Sequence, residues 1–182
     1  MTAIEWTNRL FRRGSAPGDA LPPVRRFMLR ERLVSIGDDF PIDDEEGEPA
    51  FSVDGRALRT RHILIVRDAH GNDLYRIPER SLHLKTFMEI ERGGGGTAAT
   101  IRRTRNAAMR DRWAVTLAAG EALQLRGAVP DHEYRITAGG RQVAEVSKRW
   151  FRLRNTYGVA IPADEDEALL LTIAAAVDQM AR

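Results

Sequence analysis

The chain contains no cysteine. That excludes disulfides, thiolate metal sites and thiol nucleophiles, and it leaves no sign of redox compartment. Histidine is scarce, with four in the chain. No two stand four residues apart on a helix and HExxH is absent, so no metal site is expected. Serines are few and no G-x-S-x-G elbow occurs, which removes the usual acyl-transfer signature. Gly93–Gly96 lacks the following Lys-Ser/Thr of a phosphate loop and reads as a hairpin tip. No catalytic group and no cofactor is therefore expected. No apolar run approaches the ~20 residues of a membrane-spanning helix. Nor does an apolar core near the start mark a secretory signal, so the expected location is the cytoplasm. The formal net charge is only +2, too balanced for a nucleic-acid binder. The pI of 9.4 lies above what that charge suggests because arginine supplies nearly all the positive charge and titrates very high.

What is present begins with the last stretch. Ala168 to Val177 is apolar at every position except Thr172, so a helix there has no face for water and must be enclosed by protein. Asp164, with Glu167 three residues later, resembles a capping box, and the acidic residues suit the positive helix end. At 182 residues, 43% hydrophobic and 30% charged, one domain with a real core is expected. Residues 1–23 read as an appendage and linker, with Ile4, Trp6, Leu10 and Phe11 among arginines, then Gly14–Gly18 and Pro22-Pro23. Residues 24–182 read as the domain. There, short apolar pieces alternate with turn residues: Phe40–Asp43, Ala50–Val53 before Asp54-Gly55, Ile63–Val66, Leu74–Ile77, and others up to Thr156–Ile161. Roughly a dozen strands result, and Leu123 with Leu125, or Tyr134 with Ile136, share a face. The expected fold is mainly β, an antiparallel barrel of about 12 strands around the hydrophobic C-terminal helix. Eight strands are filled by side chains alone, whereas a dozen leave room for a helix.

Several blocks resemble the LURP-one-related family. They are Leu29–Phe40 (LRERLVSIGDDF), Phe51–Leu58 (FSVDGRAL), Val143–Phe151 (VAEVSKRWF) running on to Asn155–Val159, and the closing Leu-rich helix with Asp178. The resemblance covers about residues 27–181, is weakest over 92–112, and leaves out 1–23. It implies a tubby-like fold, with kinship to tubby C-terminal domains that bind phosphoinositides and to phospholipid scramblases. No lipid-site motif of that kin carries over residue by residue.

Two basic clusters are candidates for an anionic ligand. One holds Arg102, Arg103, Arg105, Arg110 and Arg112. The other holds Lys148, Arg149, Arg152 and Arg154 around Trp150 and Phe151. Adjacent strands would merge them into one patch that grips phosphates through arginine forks, with Trp150 at a lipid interface. The residues singled out are Arg102, Arg103, Arg105, Lys148, Arg149 and Arg152. The ordinary alternative is an arginine-rich strand surface with Trp150 and Phe151 in the core. The acidic run from Asp38 to Glu48 does not fit EF-hand spacing and reads as a solvated hairpin. Asp178 needs a partner from the wall, an Arg or Lys, with Lys148 one candidate. Two function classes follow. The favoured one is a non-enzymatic domain binding an anionic phospholipid headgroup at a membrane surface, peripheral to it and without nucleic acid. The alternative is a protein-interaction scaffold with a protein partner and no lipid affinity.

Overall fold

A computed structural model describes residues 22–30, 39–54, 57, 60–82, 84–105, 111–151 and 155–181; the expected appendage lies almost wholly outside them. Alternating apolar residues between turn signals give twelve strands: β1 (Val24–Arg30), β2 (Phe40–Asp44), β3 (Pro49–Val53), β4 (Leu64–Asp68), β5 (Asp73–Ile77), β6 (Phe87–Arg92), β7 (Thr97–Arg105), β8 (Asp111–Leu117), β9 (Ala122–Ala128), β10 (Glu133–Ala138), β11 (Arg141–Ser147) and β12 (Thr156–Pro162). Each pairs antiparallel with the next, and β1 closes on β12 over seven residue pairs, Val24 opposite Pro162 to Arg30 opposite Thr156. The wall is thus a closed barrel with no free edge.

One residue parity faces inward around the whole ring. Phe27, Leu29, Ile42, Leu64, Val66, Met88, Ile90, Ile101, Val115, Ile136, Tyr157 and Val159 are all buried. They surround the C-terminal helix (Glu167–Met180), whose residues Leu170 to Asp178 are all buried. Fourteen residues at 1.5 Å each make a rod of about 21 Å. Ala174, Ala175 and Ala176 are at most 1% exposed, so the wall closes tightly on the middle of the rod. Thr172, the one polar residue between Ala168 and Val177, is satisfied by donating to the Ala168 carbonyl at 2.7 Å.

Four local readings change. The helix cap is Asp166, whose carboxylate accepts from the Leu169 N–H at 2.9 Å, two residues after the expected Asp164. Asp54-Gly55 does not close a two-residue hairpin. Residues 54–63 separate β3 from β4, and the Asp54 side chain accepts instead from the Ala57 N–H at 2.8 Å. A helical turn at Glu79–Leu82 was not signalled. Trp150 and Phe151 lie outside the barrel, not in its core. A Cβ on Gly158 would come within 2.7 Å of the Trp150 ring and 2.8 Å of the Phe151 ring. Gly158 alternates with the inward Tyr157 and Val159, so the two rings cover the outer face of β12. Arg26, also outward, sits 5.8 Å from the Trp150 ring centre.

Candidate functional site

The polar groups on the inner wall are concentrated at the two ends of the helix. At its N-terminal end, Arg25 donates to Glu167 at 2.8 Å and the Tyr75 hydroxyl donates to Asp166 at 2.5 Å. Arg141 pairs with Glu165 there as well. Burial pushes the Tyr75 hydroxyl pKa up, and its bond to Asp166 pushes the same way. At the C-terminal end, Arg103 crosses the lumen wall to donate to the Met180 carbonyl at 2.7 Å while covering the Trp113 ring at 5.1 Å. A cation on a helix's last carbonyls also complements the helix dipole.

Among the described residues, a histidine is a partner of Asp178. His132 Nε2 lies 2.7 Å from Asp178 Oδ1, with both side chains buried. A 3-10 turn at Val129–Asp131 ends in a left-handed residue, His132 at φ 54, which swings the imidazole under the helix. Left-handed backbone is tolerated better by histidine than by most residues. The imidazole stacks on Tyr157 at 4.4 Å. Tyr134 is buried close by, and its hydroxyl has no hydrogen-bond partner among the described residues. Burial, then the nearby Asp178 charge, raises the pKa of that hydroxyl, the direction opposite to a phenolate nucleophile's needs.

The outer wall differs. Arg126 on β9 stands directly opposite Arg135 on β10. Like charges in direct cross-strand register repel. Arg112, one residue before Trp113, and Arg126, one after Leu125, flank the end of the β8–β9 ladder on the same outward side. Arg102 on β7 continues the band and lies 5.4 Å from the Phe87 ring. All four arginines are exposed. Arg126 is steadied by Gln124 at 2.9 Å, and Arg135 is 3.9 Å from Glu145. None of Arg102, Arg112 and Arg126 has a carboxylate partner among the described residues.

Beside Arg126 and Arg135 the outer wall of β9–β11 is hollowed into a groove of about 700 Å³. Gly127 shapes its floor. At φ 132 it brings the chain so close that a Cβ would meet the Glu133 carbonyl at 2.4 Å. Glu133 fastens the neighbouring turn by accepting from Ser147 Oγ at 2.9 Å and from the Lys148 N–H at 3.2 Å, with Arg149 at 3.6 Å. Glu145 lies on the groove with Gln142 at 3.4 Å. Burial raises its carboxyl pKa, partly opposed by Arg135.

The residues expected from the sequence therefore part company. Arg102 belongs to the outer band. Arg103 faces the lumen and is committed to the helix. Lys148 and Arg149 are exposed in the turn after β11. The Arg105 side chain and Arg152 fall outside the described residues. The two clusters do not sit on adjacent strands, since β9 and β10 stand between β8, which carries Arg112, and β11. Arg126 and Arg135 were missed because each is a lone arginine in its strand, and only the register brings them together. Among the described residues no group of three or more His, Asp or Glu is arranged to hold a metal, the acidic hairpin included.

A protein-family model described as LURP-one-related matches residues 25–178. The chain is 23% identical over 154 residues to the uncharacterized protein YxjI of Bacillus subtilis (strain 168), covering 85% of this chain and 92% of that one. An X-ray structure of the Arabidopsis thaliana protein AT5G01750 superposes with a TM-score of 0.64 at 16% identity, covering 92% of this chain and 97% of that one. That likeness shows the shared fold. The family model spans nearly all of the barrel and helix, and the chain belongs to the LURP-one-related family.

Proposed function

We propose that this chain is a non-enzymatic domain that binds an anionic phospholipid headgroup on its outer wall, peripheral to a membrane. The supporting observation is the outward arginine band, above all Arg126 set opposite Arg135 with no carboxylate on Arg126. Such a pair costs stability in the free protein and is relieved by a phosphate held between two guanidinium forks. The filled lumen supports the absence of catalysis. The helix occupies the space where a barrel enzyme would hold its substrate, and Arg103 and His132 at its C-terminal end are engaged in holding it. No described helix is long and apolar enough to cross a membrane, so attachment through a surface fits the chain.

Flotation with phosphatidylcholine vesicles, and with the same vesicles doped with phosphatidylserine or phosphatidylglycerol, tests the reading. Binding is expected only to doped vesicles and is weakened by salt. The Arg126→Gln/Arg135→Gln double variant is expected to bind about tenfold more weakly. Absence of flotation with every composition removes the proposal and favours the scaffold alternative.

A further inference from the structure

The groove beside the arginine band is not uniformly positive. One residue row crosses it from strand to strand in the order Arg126, Arg135, Glu145. With neighbouring strands ~4.8 Å apart, the row places two cations and then an anion within about 10 Å. The adjacent row on the same outward face is neutral and hydrogen-bonding: Gln124, Thr137 and Gln142. Glu145 is held loosely, at 3.9 Å from Arg135 and 3.4 Å from Gln142, while Glu133 at the groove's end is tied to Ser147 and the Lys148 N–H. The groove thus offers two forked donors for a phosphate and, one strand further on, a carboxylate whose charged neighbours, Arg135 at 3.9 Å and Arg26, hold it without a close bond.

A headgroup that is negative throughout meets repulsion from Glu145. A phosphate ester that also bears a primary amine meets a partner at both ends. We infer that the groove selects phospholipids whose headgroup carries a primary amine, with the phosphate between Arg126 and Arg135 and the ammonium on Glu145. The volume of about 700 Å³ suits one such headgroup. Thr137 and Gln142 supply neutral donors and acceptors for the remaining ester and carboxylate oxygens. This inference rests on the anionic-headgroup reading and narrows it.

The test compares two lipids of equal net charge that differ in the amine. Phosphatidylcholine vesicles are doped to the same mole fraction with phosphatidylserine or with phosphatidylglycerol, and binding of the full chain is titrated. The expected result is at least about fivefold tighter binding to the serine lipid. In Glu145→Gln that preference is expected to collapse, chiefly through stronger binding to the glycerol lipid as the repelling carboxylate is lost. Circular dichroism of Glu145→Gln, at an outward position, serves to confirm the fold. Equal binding to both lipids by the unaltered chain overturns the inference and leaves the broader proposal standing. A preference that survives Glu145→Gln overturns the role given to Glu145. No binding to either lipid removes both.

Discussion

Arginines on the two faces of this wall have opposite fates. Arg25, Arg103 and Arg141 face inward, and each is spent on the helix: on Glu167, on the Met180 carbonyl and on Glu165. Arg102, Arg112 and Arg126 face outward and have no carboxylate partner among the described residues. Arg102 and Arg103 are neighbours in sequence, so residue type and local context do not separate them. The strand's period of two does. Arg103, part-buried under the rod, serves the fold there, while Arg25 and Arg141 grip the helix start from the half-exposed rim. A cation outside contributes little to stability and is left available.

The sharpest way to break this contrast is at the buried pair. His132→Ala takes the buried histidine bond from the Asp178 carboxylate, and a loss of about 2–3 kcal/mol is expected in urea unfolding. A loss below about 1 kcal/mol would show that this pair does not hold the helix end. A smaller effect separates the arginines themselves. Arg103→Gln is expected to destabilise by about 1–2 kcal/mol, since a charged donor leaves the helix's last carbonyl. Arg126→Gln is expected to be neutral or stabilising by a few tenths of a kcal/mol at low salt, with the gain fading as salt rises. Equal losses in the two variants would erase the distinction between the faces.

The smallest effect concerns Glu145. Burial raises its carboxyl pKa above the ordinary 4.5. A carboxyl that holds its proton more tightly when folded contributes stability that is fully present below the unfolded pKa and is lost as pH rises through the folded one. Stability is therefore expected to decline slightly as pH rises from about 4.5, and Glu145→Gln is expected to flatten that decline in urea midpoints measured across the range. An unchanged slope would place Glu145 in water rather than in the wall.

Much of the architecture is legible in the residues because its signals are local. Ala168 to Val177 offers no wet face, and glycine and charged turns punctuate the chain often enough to count about a dozen strands. The helix cap shows where locality stops. Asp164 and Asp166 are both able to cap, and the choice falls to Asp166, which Tyr75, 91 residues away, also grips. The candidate site was legible only in part. Arg102 stands in a visible arginine cluster, but Arg126 and Arg135 sit alone among Leu, Gly, Tyr and Ile. Their meeting depends on strand register, which no single segment encodes. His132 beside a turn gave no hint of Asp178, 46 residues later. Trp150 and Phe151 were readable as part of a lipid-facing patch or as core alike. Gly158 decides, by leaving space for two rings outside the sheet.

The closing ladder has one more consequence. β1 leaves the ribosome before every other strand of the barrel, yet its mate β12 and the rod that fills the lumen follow all the strands between. Until both have been made the nascent sheet has an unzipped seam and an empty bore, a state prone to stick to its neighbours. A message truncated before β12 would thus yield a hollow, open-seamed product rather than a smaller working version of this protein.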